Sequence, residues 1–149
     1  MADLVTTITE TVTLNGSLRG SSNVVTTSDV IDVSERITTC VQAKETVIAT
    51  FDAAPWSSAG AIDRNNTVYV RVTNLDELQD VQLKITTATT SAIVTISAGQ
   101  SFILSKAVDV IKGGISAATF GTLEDIDSLT IKPTSATLSA RVALFVALQ

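Results

Sequence analysis

Two clusters of carboxylates hold the most chemical potential in this sequence: Asp76, Glu77 and Asp80, then Glu124, Asp125 and Asp127. Groups of this kind could supply a glycosidase with its acid and base, or gather around calcium. Both clusters fall in expected turns, where Asp satisfies backbone donors and stays solvated. Neither has a glycine at the mid-loop position of a calcium-binding loop, so turn chemistry is the expectation and no metal site is assigned. Cys40 is the single cysteine, in Thr38-Thr39-Cys40-Val41, and the chain contains no His. A nucleophilic thiol needs a base to become thiolate, so Cys40 reads as a small buried hydrophobe. The serines lack a base too, and no Gly-x-Ser-x-Gly elbow is present. Lys112-Gly113-Gly114 lacks the framing of a phosphate loop and reads as a turn. The chain is therefore expected to be no enzyme, with no catalytic, cofactor-binding or metal-binding residue and no cofactor.

Two aromatic residues are the candidates for contact with a partner. Trp56 sits in Ala-Pro-Trp-Ser-Ser-Ala-Gly, a loop in which an exposed ring could anchor a protein or stack on a sugar. It could equally fold back and cap one end of the domain. Tyr69 is the other candidate. A sugar platform usually needs two or three rings, and few are to spare among four Phe, one Tyr and one Trp.

The elements that must position these residues are strands. The 149 residues include 23 Thr, 17 Val and 13 Ile, more than a third of the chain. β-Branched side chains lose rotamer freedom in a helix and pack well on a pleated surface. The clearest period-two runs are Thr67–Thr73, with Val68, Val70 and Val72 on one face, and Asp80–Thr86, with Val81, Leu83 and Ile85 on one face. Asn74–Asp80 is read as a hairpin loop joining them. Further strands are expected at Val24–Val33, at Arg36–Val41 after a break around Ser34-Glu35, at Thr46–Phe51, Ala92–Ile96, Ser101–Ser105, Ser128–Lys132 and Ala140–Leu148. Ala53 to Asn66 is read as loop, and Thr122–Asp125 as a capping box for one helical turn. The fold class is all-β: an antiparallel sandwich or jelly roll of about 7–9 short strands, from the density of strands and turns.

Leu4–Leu14 also alternates, but neither face is strongly apolar, so a core specifies its register only weakly. Asn15-Gly16 follows, a strong hairpin signal. Residues 1–22 are read as an N-terminal arm or peripheral hairpin and residues 23–149 as the sandwich domain. An ordinary edge strand remains the alternative for the arm.

Charge and hydropathy narrow the partners. A net charge of −5 and a pI near 4.5 give no electrostatic footprint for nucleic acid. No run approaches the ~18 apolar residues of a spanning helix, so no membrane partner is expected. Met1-Ala-Asp-Leu lacks the positive start and apolar core of a signal peptide, which points to synthesis in a cytoplasm.

Three runs carry a family resemblance: Val68-Tyr-Val-Arg-Val-Thr-Asn-Leu-Asp76, Val81-Gln-Leu-Lys-Ile85 and Ala98-Gly-Gln-Ser-Phe-Ile-Leu104. Together with Leu123-Glu-Asp-Ile126, Leu129-Thr-Ile131 and the terminal apolar strand, they resemble small β-sandwich accessory proteins of tailed-bacteriophage virions, over residues 67–149. The resemblance implies a virion protein made in the host cytoplasm, chiefly a capsid decoration or cement protein. Its implied partners are itself, as a homotrimer, and the major capsid protein or another virion protein. A tail- or fibre-associated protein and a carbohydrate- or receptor-binding module are the alternatives. With Cys40 assigned to the core, Cys40→Ser is expected to lower the melting temperature and leave partner binding unchanged; loss of binding by a chain with native circular dichroism would contradict that assignment.

Overall fold

The computed structural model describes residues 2–113 and 120–149. Its first four strands, β1 (Ala2–Thr9), β2 (Val12–Leu14), β3 (Ser17–Arg19) and β4 (Ser22–Val30), pair only with one another. The remaining nine are β5 (Asp32–Cys40), β6 (Thr46–Asp52), β7 (Ile62–Asp63), β8 (Thr67–Asn74), β9 (Val81–Thr86), β10 (Ser91–Ile96), β11 (Ser101–Leu104), β12 (Ser128–Pro133) and β13 (Ala140–Leu148). They form a five-stranded sheet of order β10-β9-β12-β6-β7 and a four-stranded sheet of order β11-β8-β13-β5.

That order is a jelly roll. Antiparallel pairing joins β5 with β13, β6 with β12, β8 with β11 and β9 with β10. Pairing of first with last, inward to the middle, is what results when one long hairpin wraps around a core. Only β7 stands outside the scheme, as a two-residue parallel addition beside β6. The fold class expected from the sequence is therefore the one observed, with jelly-roll connectivity.

The inner faces follow from alternation. Val70 and Val72 of β8, Val81, Leu83 and Ile85 of β9, and Leu129 and Ile131 of β12 are all buried. So are Val142, Leu144, Val146 and Leu148 of β13. Phe51 is the one fully buried aromatic ring, so the core is built from branched aliphatic side chains. Full burial of each contributes roughly 1.5–3 kcal/mol relative to exposure. In β6 a bulge opposite Leu129 and Thr130 lets Ile48 and Ala49, adjacent in sequence, both reach the core.

Polar side chains are buried as well, Asn74 the most completely. Asn74, fully buried at the end of β8, donates from Nδ2 to the carbonyls of Gln79 (2.8 Å) and Ile96 (3.2 Å). Its Oδ1 accepts from the Asp76 amide at 3.1 Å. The side chain therefore fixes the Asn74–Asp80 loop and the end of β10 at once.

Several local readings differ from the structure. Asn74–Asp80 joins strands of opposite sheets, so it is an arch over the core and not a hairpin. The break expected at Ser34-Glu35 falls at Ile31, and β5 runs unbroken through both residues because β13 pairs along its whole length. The loop expected at Ala53–Asn66 contains a 3₁₀ turn at Pro55–Ser57 and strand β7. No helical turn forms at Thr122–Asp125; the backbone of Glu124 instead bridges to Ile111. The Lys112-Gly113-Gly114 turn reaches Gly114, which lies outside the described residues.

Leu144 lies at the centre of β13, with its side chain excluded from solvent. Leu144→Ala is expected to destabilise the domain by about 2–5 kcal/mol, read as a lower urea midpoint at unchanged m-value. A smaller loss than about 1 kcal/mol would mean that the inner face is loosely packed.

Candidate interaction surface

Residues 2–30 form a ribbon. From Leu4↔Thr27 to Thr9↔Ser22, β1 and β4 pair in regular antiparallel register, and Glu10 N–H donates to the Ser21 carbonyl. Beyond Gly20, β2 and β3 continue the ribbon as a short hairpin. At its tip Asn15 and Gly16 have φ of +50° and +77°, the positive values a type I′ turn requires. Gly20 is obligatory where the two halves meet: a Cβ there would lie 1.8 Å from the Glu10 carbonyl oxygen. The sequence placed an arm at residues 1–22; the paired ribbon extends through Val30, because β4 supplies the whole partner strand for β1.

The ribbon pairs one edge of each strand and leaves its side chains uncovered. Val5, Ile8, Val12, Leu14, Leu18, Val24 and Val25 are all large, apolar and exposed, Leu18 to 74%. Only Val30, at the root, is buried. The registers divide them between the ribbon's two faces, Val5 and Val24 on one and Ile8 and Val25 on the other, and an isolated two-stranded hairpin is marginally stable in water. The root is held by two bonds to the end of the last strand. Ile31 N–H donates to the Leu148 carbonyl at 2.9 Å, and Gln149 Nε2 donates to the Ser28 carbonyl at 3.3 Å.

Opposite the ribbon lies the outer face of the four-stranded sheet. The pairing register sets Ile103, Arg71, Phe145 and Glu35 in one row across it, with Tyr69, Ala147 and Val33 in the next. Tyr69 meets Phe145 edge-on, with centroids 6.0 Å apart, and the Arg71 guanidinium lies 5.4 Å from the Phe145 ring centre. Residues Leu4–Ile8 of β1 and this face line the two sides of a groove of about 450 Å³. Arg71 Nε is buried in it without a hydrogen-bond partner among the described residues.

The two candidate contact residues are placed apart. Trp56, 84% exposed, stands in the 3₁₀ turn after β6 of the five-stranded sheet. Tyr69 is half-buried on the four-stranded sheet, and its ring is engaged by Phe145. The Trp56 ring has not folded back onto the domain. Sequence reasoning missed Arg71 and Phe145; their outward positions in alternating strands were legible, but their meeting across β8 and β13 depends on register.

The carboxylates mostly hold loops. Asp76 Oδ1 accepts from the Leu78 and Gln79 amides, and Asp80 Oδ1 from the Ala98 amide. Arg64 spans Asp125 (3.5 Å) and Asp127 (2.8 Å). Glu124 receives the Thr87 and Thr89 hydroxyls, tying the β9–β10 turn to the approach to β12. Among the described residues no group of three or more acidic, Cys or His side chains converges as a metal site. Cys40 is enclosed in the core, and burial pushes its thiol up from the ordinary range. No helix is long and apolar enough to cross a membrane among the described residues.

No protein-family model, curated protein or solved structure matches this chain.

Hydrogen bonds from Thr87 first, and from Thr89, hold the Glu124 carboxyl below the usual range. A carboxylate with a depressed folded-state pKa adds stability that is complete above its unfolded pKa, about 4.3, and is lost as pH falls through the folded value. Glu124→Gln is expected to lower the melting temperature at neutral pH and flatten its decline below about pH 4.5. Melting curves from pH 3 to 7 that run parallel for the two chains would show that the clamp contributes nothing. Asp76 is lowered too, chiefly by the Leu78 amide, so some acid sensitivity remains in the variant.

Proposed function

We propose that this chain is a non-enzymatic structural protein of a virus particle, a capsid decoration or cement protein that binds and stabilises a phage head through protein–protein contacts. The observation that carries the reading is the ribbon: an arm whose strands pair only with one another and whose apolar side chains its own domain leaves uncovered. Such an arm becomes stable when a neighbouring subunit covers it. The jelly roll supports the reading at the level of fold, since capsid domains use it, though fold alone does not assign function. The resemblance of residues 67–149 to tailed-phage accessory proteins points the same way, and with it a homotrimer contacting the major capsid protein. The acidic charge of −5 suits contacts away from packaged DNA. A tail or fibre position is the neighbouring alternative within the particle.

Lectin domains also use the jelly roll, so a carbohydrate- or receptor-binding module is the second reading. Its specific support is the exposed Trp56 ring. Tyr69 does not join that ring in a platform, which favours the particle reading.

Virions of the phage encoding this chain are expected to contain it on the head, detectable by mass spectrometry and immunogold labelling. Heads lacking the protein are expected to bind the full chain in cosedimentation, and to bind a chain without residues 2–30 at least about tenfold more weakly, roughly 1.4 kcal/mol. Absence from the particle overturns the reading. Equal binding by a folded truncated chain overturns the role of the arm.

A further inference from the structure

We propose that the groove between β1 and the four-stranded sheet binds an extended segment of a partner protein that carries an acidic side chain. The segment pairs with the free edge of β1, and its carboxylate meets the Arg71 guanidinium. The site stands apart from the particle reading, because the groove sets the ligand chemistry wherever the protein resides.

One wall of the groove presents an unmatched cation. Of the described residues that line it, Arg71 alone is charged. Its Nε is buried without a hydrogen-bond partner, and it forms no ion pair among the described residues. Glu35, in the same outward row, lies beyond Phe145 and does not pair with it. The Phe145 ring, 5.4 Å from the guanidinium carbon, attracts the charge but does not replace a pair of oxygen acceptors. A carboxylate does, because it accepts from Nε and a terminal nitrogen side by side.

The opposite wall is a strand edge. Leu4 to Ile8 line the groove in unbroken succession, and no residue of β4 does. A strand that turns a face to a groove offers every second residue, so five in a row set its edge along it. Because β1 pairs with β4 and with no other strand, that edge carries N–H and C=O groups outside any ladder. Edges are commonly protected by a lysine, a proline or a bulge. From Leu4 to Thr9, β1 has none of these, and its register with β4 is regular.

Together the walls select the occupant. A row of unpaired peptide groups is met by another extended backbone, as in strand addition to a sheet edge, whereas a small carboxylic acid meets Arg71 alone. Alternate side chains of an added strand face the same way. With a carboxylate on Arg71, the residues two before and two after it lie on the apolar surface of Tyr69, Ile103 and Phe145. The ligand pattern is therefore apolar, any, acidic, any, apolar, in extended form. The groove, about 450 Å³, falls within the roughly 300–1,000 Å³ that ligand sites occupy.

The probe is the peptide acetyl-Ser-Val-Thr-Glu-Thr-Val-Ser-amide, titrated into the full, isotopically labelled chain and read by NMR at the β1 amides and at Arg71 Nε–H. Shifts are expected at both, with affinity at least about tenfold above that of the same peptide carrying Gln in place of Glu. Arg71→Gln is expected to abolish that difference with native circular dichroism. Arg71→Lys, which keeps the charge without the fork, is expected to retain only part of it. Equal affinity for the two peptides, shifts confined to another sheet edge such as β5 or β10, or no shift at about 1 mM peptide overturns the site. Acetate that moves Arg71 Nε–H as far as the peptide does, with the β1 amides silent under both, overturns the pairing with β1. The particle reading is decided separately, by the presence of the protein on the head.

Discussion

The structure depends most on β13. Its inward residues Val142, Leu144, Val146 and Leu148 are buried against the opposite sheet, and its backbone pairs along nearly its full length with β5 on one side and β8 on the other. The same strand carries Phe145 outward, under the Arg71 guanidinium and beside Tyr69. Its last residues hold the root of the ribbon. Core, groove and arm therefore meet on one strand, and a change in its register would move all three.

Two parts of the molecule obey different rules. The jelly roll covers its own inner aliphatic faces, and the Asn74 side chain buried beside them has both amide hydrogens and its oxygen engaged. The ribbon has its internal strand pairing and little else. Backbone pairing alone gives a hairpin small net stability, and the ribbon's exposed apolar side chains add little burial to it. That division, a well-packed body with an uncovered arm, is the observation on which the proposed assembly role rests.

Much of the fold was legible because alternation is strict where both sheets bury one face. Val70, Val72, Val81, Leu83 and Ile85 were each assigned inward from sequence and are inward. Legibility failed where a side chain had a long-range partner. Glu124 reads as an interior residue of the capping-box turn Thr122–Asp125, but its carboxylate reaches Thr87 and Thr89 some 35 residues away in sequence. The break in the β4–β5 region was misplaced because Ser34 and Glu35 are polar, and strand β5 is held there by β13 instead of by its own composition. The Asn-Gly tip of the ribbon was visible from two residues; the groove beneath it was not, since Arg71 and Phe145 are brought together only by pairing across the sheet.

Hydrogen exchange measures the central claim directly, because it separates paired amides that are protected from paired amides that open freely. In dilute protein the β1 and β4 amides are predicted to exchange orders of magnitude faster than those of β8, β12 and β13. They are predicted to become protected when the protein is mixed with the phage heads proposed as its partner. Core-like protection of the ribbon in the dilute monomer would contradict the account, since the arm would then be a finished part of its own domain.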